Sequence, residues 1–232
     1  MIKMITSNEF DAERAIQKTT ASASITSTVT TIIADIIKRG DSALREYTKK
    51  FDGCVIDNIE LSRVKMEKAI LDVDPEFIGV LERAAKNIED FHRNQIQKGF
   101  EVPPKNGIIM GQKITPIERV GIYVPGGTAA YPSTVLMNCI PAKLAGVKEI
   151  IIATPPSDVG SSSETGNSGF LDGKILAAAK IAGASRVFIM GGAQAIAALA
   201  YGTESVPRVD KITGPGNAYV AEAKRQVFGV VG

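Results

Sequence analysis

Histidine, cysteine and tryptophan are scarce in this 232-residue sequence, which contains one histidine, two cysteines and no tryptophan. Cys54 and Cys139 lie far apart and form no CxxC pair, which argues against a disulfide framework and a cysteine-built metal site. We expect both to be reduced residues of the core. The single histidine, His92, follows Phe91 in a helical segment, a position more typical of a packed or solvated side chain than of a base or a metal ligand.

An excess of charge of one sign is also absent, because 27 lysines and arginines face 25 acidic residues, for a net charge of +2. The basic residues are spread along the chain, so nothing indicates nucleic acid or a membrane surface, and we expect a small-molecule partner. No run approaches the ~18 apolar residues of a membrane span, and the first residues lack the apolar core of a secretory signal. These features favour a cytoplasmic globular protein.

Apolar residues in the first hundred positions recur at helical spacing. The stripe from Val29 to Ile37 predicts a helix that ends at Gly40. Further predicted elements are a helix from Ser42, a strand over 55–61, a helix capped by Ser62 and a long helix opened by Asp74-Pro75. Alternation broken by glycine and proline over 102–122 then predicts short β segments that lead into a strand.

From residue 120 onward, strand and helix patterns alternate. The predicted strands cover 120–124, 148–153, 186–190 and 209–213, and the predicted helices cover 132–145, 171–183, 193–201 and the stretch from 217. This alternation predicts an α/β fold with a parallel sheet and right-handed crossovers. One segment departs from it: residues 157–169 are rich in serine and glycine and nearly lack apolar residues, so we expect a mobile surface loop there.

Three of these strands run directly into turns rich in glycine and proline: YVPGG at 123–127, MGGAQ at 190–194 and TGPGN at 213–217. The carboxyl ends of parallel strands share one edge, and helix N-termini at that edge attract phosphate groups. The convergence of the turns favours a pyrophosphate-binding edge, although glycine and proline also punctuate turns that bind nothing. None of the turns spells GxGxxG, since Tyr219 stands in the place of the third glycine after GPG.

Polar side chains in these turns indicate what the edge would bind. Gln194 and Asn217 each place an amide at the start of a helix, where it can pair with a carboxamide or a hydroxyl. Tyr123 ends its strand and can stack on a ring or hydrogen-bond it. Each has a structural alternative, because the amides can cap their helices and the tyrosine can fill the edge of the sheet. The run EAKRQ at 222–226 is interpreted as a solvated helix face.

Long stretches of the chain resemble a known family. The sequences ERVGIYVPGGTAAYPSTVLMNCIPAKLAGVKEIIIATPP at 118–156 and GGAQAIAALAYGTESVPRVDKITGPGNAYVAEAKRQV at 191–227 closely resemble histidinol dehydrogenases. Upstream, KRGDSALREYTKKFDG at 38–53 and NIEDFHRNQ at 87–95 are similar to the same family. The resemblance covers essentially the whole chain, and only the Ser/Gly-rich segment is foreign to it.

The resemblance implies an α/β fold of two incomplete Rossmann-like domains with parallel sheets, preceded by a short helical N-terminal segment. Residues 1–18 would be that segment and contact a dimer partner, 19–122 a partial first domain, and 123–232 a second domain with the NAD-binding edge. By the same resemblance, the intact enzyme is a homodimeric zinc protein of histidine biosynthesis that uses NAD to oxidise L-histidinol, through an aldehyde, to L-histidine.

Site residues are transferred by motif. The NAD contacts implied by the resemblance fall on Tyr123, Pro125, Gln194, Pro215, Asn217 and, near the adenine, Phe51. The family's zinc ligands, which are a glutamine, an aspartate and two histidines, and its catalytic Glu-His pair have no counterpart in this sequence. We therefore predict no catalytic residue and no metal ligand in this chain.

Two interpretations of the chain follow from the resemblance. In the first, the chain is the NAD-binding half of a histidinol dehydrogenase and is inactive by itself. In the second, it is a non-catalytic nucleotide-binding or oligomerisation module derived from that enzyme. Both interpretations are open at the level of the sequence.

Overall fold

The structure, a computed structural model, describes residues 23–126, 131–157 and 171–232. The first half of the chain is mainly helical, with α1 at Ala23–Arg39, α2 at Asp41–Asp52, α3 at Arg63–Leu71, α4 at Pro75–His92 and a 3-10 turn at Arg93–Gln95. The elements that follow are β1 (Phe100–Lys105), β2 (Ile108–Gln112), β3 (Arg119–Tyr123), α5 (Pro132–Leu144), β4 (Glu149–Thr154), α6 (Gly173–Ala182), β5 (Arg186–Ile189), α7 (Gly192–Tyr201), β6 (Lys211–Thr213) and α8 (Ala218–Val227).

Strands β3 to β6 form a parallel sheet in the order β5-β4-β3-β6. Strand β3 pairs with β4 on one side, where Tyr123 lies opposite Ala153, and with β6 on the other, where Ile122 lies opposite Thr213. The chain moves outward from β3 to β4 and β5 and then returns to the far side of β3. The strand order therefore reverses between β3 and β6, and open α/β sheets bind ligands at the carboxyl ends of the strands at such a reversal.

Helices on both faces bury the sheet, and the sequences of its strands are therefore nearly continuous runs of apolar residues. Ile122, Ile151, Ile152 and Phe188 have no exposed surface. Helices α5 and α6 pack against each other and against α4, and α6 also contacts α3. Helices α7 and α8 form a second pair, against which α1 packs. The helices of residues 23–92 thus share one core with the sheet.

Helix α1 ends as its sequence predicts. Its buried stripe consists of Val29, Ile32, Ile33 and Ile36. Gly40 then adopts a positive φ of 54°, and a side chain there would lie 2.3 Å from the carboxylate of Glu204. The positive φ therefore favours glycine at this position, and any larger residue would also displace the Glu204 carboxylate.

A buried carboxylate fastens the turn between α1 and α2 to the loop after α7. Asp41 Oδ1 accepts hydrogen bonds from Thr203 Oγ1 at 2.6 Å and from the Ser205 amide at 3.2 Å, and Oδ2 accepts one from the Ser205 hydroxyl. Burial acts to raise the pKa of Asp41, but the Ser205 and Thr203 hydrogen bonds outweigh it, and the pKa lies below its ordinary value. Asp41 is therefore ionised at neutral pH and fixes α2 beside α7.

The strand predicted over 55–61 is wrong. Only Glu60 forms an isolated antiparallel bridge, with Phe188, while the Leu61 amide donates to Val187 and Ile59 accepts from Ile189. The segment therefore meets the outer side of β5 at its last three residues only. The apolar alternation that suggested a strand reflects the burial of Ile56 and Ile59 beneath this edge.

The α/β class is confirmed, and the sheet that begins at Arg119 is parallel throughout. Strands β1 and β2, which lie within the predicted first domain of residues 19–122, instead pair antiparallel. Their connection is the two-residue turn Asn106-Gly107, in which φ is 54° and 80°, and such turns produce hairpins. The division at 122/123 stays a prediction. Residues 1–18 and 158–169, for which an N-terminal segment and a mobile loop are predicted, lie outside the described residues.

Candidate functional site

Tyr123 joins the three glycine-rich turns at the carboxyl edge of the sheet. Its hydroxyl accepts a hydrogen bond from the Gly192 amide at 3.0 Å. On its other side, the Tyr123 carbonyl oxygen lies so close to Gly214 that a Cβ there would be 2.0 Å from it. The structure therefore brings the turns after β3, β5 and β6 together, as the sequence predicts.

The Tyr123 ring fills the edge of the sheet, because only 4% of the residue is exposed. This is the structural alternative to a ring that stacks on a ligand. Burial raises the pKa of Tyr123, and the charge of Asp52 raises it further, against the opposing effect of the Gly192 hydrogen bond. The hydroxyl is accordingly neutral at physiological pH.

Gln194 carries an amide that is buried without partners. The residue is 1% exposed, and neither Oε1 nor Nε2 forms a hydrogen bond within the part of the chain that the structure describes. It does not cap α7, whose N-cap is Gly191 without a side-chain bond. An unpaired buried polar group costs about 1–3 kcal/mol, so this amide lies where an absent partner would stabilise it.

Asp52 has a third buried side-chain atom without a hydrogen-bond partner, and the sequence pattern does not predict it. Among the described residues, Asp52 Oδ2 and the two amide atoms of Gln194 are the buried side-chain nitrogen and oxygen atoms that have no hydrogen-bond partner. Burial raises the pKa of Asp52 to about 6. The only hint in the sequence is a carboxylate directly before Gly53, the residue that ends α2 with a φ of 66°.

Asn217 acts as a helix cap. Its Oδ1 accepts a hydrogen bond from the Val220 amide at 3.0 Å at the start of α8, and the side chain is exposed. Capping uses the side-chain oxygen and leaves the amide nitrogen for another partner. Pro215 is exposed in the same turn, and Pro125 is half-buried after β3.

The glycines of the turns are explained by packing between the turns. A Cβ on Gly126 or Gly191 would lie 2.4 or 2.5 Å from the ring of Pro155, which follows β4. Gly192 has a φ of 61°, and a Cβ there would be 2.6 Å from Gln194 Oε1. These glycines are therefore required whether or not a phosphate binds, and the unpartnered polar atoms are the stronger sign of a ligand.

The run at 222–226 is not a solvated face, contrary to its sequence-based interpretation. Glu222 is 4% exposed, and hydrogen bonds from Arg225 and Gln226 lower its pKa to about 2. Gln226 also donates to the Thr26 carbonyl at 3.1 Å, which fastens α8 to α1. Lys224 is half-buried and donates to the Gly214 carbonyl, and burial lowers its pKa.

Phe51 lies on α2, next to Asp52, and is 51% exposed. Its ring stacks on that of Tyr47 with centroids 5.6 Å apart and planes 9° from parallel. The Lys50 ammonium lies 5.5 Å from the centroid of the same ring. Of the six residues transferred by resemblance, Phe51 is thus the one on an element outside the glycine-rich turns.

The surroundings of the single histidine and of the two cysteines are those of structural residues. His92 Nδ1 lies 2.6 Å from Gln95 Oε1 at the end of α4. Neither cysteine forms a disulfide within the described residues; Cys139 is buried, which raises its pKa to about 12, and Cys54 is half-buried. In residues 23–126, 131–157 and 171–232, no group of three or more His, Cys, Asp or Glu residues could hold a metal ion. No helix in the same ranges has both the length and the apolar character needed to cross a membrane.

Comparison with known proteins identifies the family. The histidinol dehydrogenase family profile matches residues 15–232. A histidinol dehydrogenase of Streptococcus mutans is 51% identical over 208 residues, which cover 90% of this chain and 46% of that protein. Its counterpart in Clostridium acetobutylicum is 44% identical over 236 residues, covering 100% of this chain and 53% of that protein.

A solved structure agrees with the sequence comparison. The crystal structure of histidinol dehydrogenase from Elizabethkingia anophelis superposes with a TM-score of 0.82 at 36% identity and covers 95% of this chain and 50% of that chain. The chain spans about half the length of the curated relatives it matches. It belongs to the histidinol dehydrogenase family.

Proposed function

We propose that this chain is the NAD-binding part of a histidinol dehydrogenase and that it holds the dinucleotide at the edge around Tyr123. The observation that carries the proposal is the unpartnered amide of Gln194, 1% exposed at the start of α7. An amide that both donates and accepts matches a nicotinamide carboxamide or a ribose hydroxyl. The edge also lies at the reversal of strand order between β3 and β6, where such sheets bind ligands.

The surroundings of Gln194 suit a dinucleotide. Helices α7 and α8 both begin at this edge, and their N-termini favour a pyrophosphate. The half-buried Lys224 ammonium, bound to the Gly214 carbonyl, adds positive charge to the turn after β6. The residues that would hold NAD are Tyr123, Pro125, Gln194, Pro215, Asn217 and Phe51. Bound NAD supplies a hydride acceptor, and the chain's own part is to bind it, orient it and keep water from its buried end.

The proposed activity of the whole enzyme is the NAD-dependent oxidation of L-histidinol through histidinal to L-histidine, in histidine biosynthesis, by a cytoplasmic homodimer. Zinc belongs to that proposal for the whole enzyme and is not assigned to this chain. A catalytic zinc takes three protein ligands of nitrogen, sulfur or carboxylate type, and the described residues provide no such group.

Calorimetric titration of NAD into the chain and into Gln194→Met tests the proposal. Methionine has nearly the volume of glutamine but lacks its amide, so NAD affinity is expected to fall about 10-fold. Without NAD, the variant is expected to be as stable as the unaltered chain or more so, because an unpaired buried amide is removed. Gln112→Met, on the exposed strand β2, is the matched control and is expected to bind NAD normally.

Two results would overturn the proposal. In the first, the unaltered chain shows no NAD binding at millimolar concentration. In the second, Gln194→Met and Gln112→Met bind NAD as tightly as the unaltered chain, which would make the Gln194 amide a feature of the fold alone.

A further inference from the structure

An unpartnered carboxylate oxygen lies at the end of α2. Asp52 is the last residue of that helix, and its Oδ2 is buried with no hydrogen-bond donor among the described residues. Buried carboxylates ordinarily accept hydrogen bonds, because the desolvation of a charge is costly. A ligand that brings donors would remove this cost.

Asp52 belongs to the same edge as Gln194. Helix α2 packs against α7, and Asp52 is close enough to Tyr123 for its charge to act on the Tyr123 hydroxyl. That hydroxyl in turn holds the first turn of α7, where Gln194 lies. The unpartnered atoms therefore offer two acceptors, Asp52 Oδ2 and Gln194 Oε1, and one donor, Gln194 Nε2. Such a set favours a ligand portion rich in hydroxyl donors over a phosphate.

The charge around Asp52 also disfavours a phosphate. Within the described ranges, Asp52 takes part in no salt bridge; the nearest acidic residue on the same helix with one, Glu46, pairs with Arg39 at 2.7 Å. An anion beside Asp52 Oδ2 would therefore meet repulsion from a carboxylate that no ion pair neutralises.

The adjacent residue offers a surface for a planar base. Phe51 is 51% exposed, and its ring is supported from behind by the parallel ring of Tyr47. Aromatic rings stack well on nucleobases, which is a common way to hold a nucleoside. An aromatic ring that can stack on a base is followed directly in the sequence by a carboxylate that can accept hydrogen bonds from hydroxyls. This pair of residues matches a base and its attached ribose.

We propose that Asp52 recognises the adenosine ribose of the dinucleotide: its carboxylate accepts hydrogen bonds from the 2′- and 3′-hydroxyls and rejects a dinucleotide that carries a 2′-phosphate. This inference rests on the proposed function, because it takes the NAD site at the Tyr123 edge as given. In other dinucleotide-binding sheets an acidic residue likewise accepts a hydrogen bond from the ribose, but Asp52 lies at a different place in the chain.

The test compares NAD and NADP binding by calorimetry in the unaltered chain, Asp52→Asn and Asp52→Glu. We expect the unaltered chain to prefer NAD. Asp52→Asn is expected to weaken NAD binding about 10-fold, because hydrogen bonds to a charged acceptor are lost, and to reduce the preference for NAD by at least that factor. Asp52→Glu keeps the charge and is expected to keep NADP excluded. Asp57→Asn, an exposed residue five positions later, makes the same charge change and is expected to alter neither affinity.

A thermal unfolding measurement without ligand separates recognition from folding. Because Asp52 Oδ2 is buried without a donor among the described residues, Asp52→Asn is expected to unfold at the same temperature or a higher one. An unchanged NAD to NADP ratio in Asp52→Asn, with Gln194→Met still weakening NAD, would overturn the role of Asp52 and leave the proposed NAD site intact. Failure of the unaltered chain to bind either dinucleotide would overturn both.

Discussion

The hydroxyl of Tyr123 accepts a hydrogen bond from the backbone amide of Gly192 at 3.0 Å. This contact ties the carboxyl end of the central strand β3 to the first turn of α7. The N-cap of α7, Gly191, has no side chain to satisfy the free amides of that turn, so a side chain from across the sheet satisfies one of them. The same bond fixes the turn that carries the unpartnered amide of Gln194.

Removal of the Tyr123 hydroxyl is expected to loosen this turn. Tyr123→Phe leaves the Gly192 amide without its acceptor and is expected to lower the free energy of unfolding by about 1 kcal/mol. Because Gln194 lies in the same turn, NAD binding is also expected to weaken several-fold. Urea unfolding and calorimetry measure the two effects. Tyr219→Phe, on an exposed part of α8, is the control, and identical behaviour of the two variants would contradict the role given to Tyr123.

Two substitutions at Asn217 separate its capping role from ligand contact. Asn217→Ala removes the oxygen that accepts from Val220 and is expected to cost about 1 kcal/mol of stability. Asn217→Asp keeps a capping oxygen and is expected to remain stable, but it loses the amide donor and places a charge beside the pyrophosphate. We therefore expect both variants to bind NAD more weakly. Normal NAD affinity in Asn217→Asp would show that Asn217 serves the helix alone.

The Asp41 contacts predict how stability depends on pH. The folded-state pKa of Asp41 is lowered, so its contribution is complete above the unfolded pKa of about 3.9 and is lost as the pH falls through the folded value. Asp41→Asn is expected to lower the free energy of unfolding by about 2 kcal/mol at pH 7 and by less as the pH falls below 4. Urea unfolding across this range measures the difference. A difference that stays constant from pH 7 to pH 3 would contradict an ionised Asp41.

Periodicity predicted the second half of the fold closely. The predicted strand 120–124 is β3 at Arg119–Tyr123, and the predicted helix 132–145 is α5 at Pro132–Leu144. These elements are buried on defined faces, so the spacing of their apolar residues in the sequence reflects which side chains are buried. The strand predicted over 55–61 was wrong because two buried isoleucines at a sheet edge produce the same pattern as a short strand.

Parts of the candidate site depend on tertiary contacts that spacing does not encode. Asn217 can be recognised from the sequence as a helix N-cap, and it caps α8 in the structure. By contrast, Asp52 lies on α2, which packs against α7, and these two elements are distant in the sequence. Glu222 was placed on a solvated face because its run is highly charged, whereas its contacts with Arg225 and Gln226 allow it to be buried against α1. Partners of this kind are visible only in the folded chain.

Binding of NAD at the carboxyl edge of the sheet can be tested by an NMR titration of the isotope-labelled chain with NAD. Backbone amide shifts are expected to change most at Tyr123, Gly192, Gln194 and Asn217. The amides of Glu118 and Arg119, which donate to Asp210 at the opposite edge, are expected to remain unchanged. Shift changes centred on that opposite edge, or none at millimolar NAD, would contradict NAD binding at the carboxyl edge.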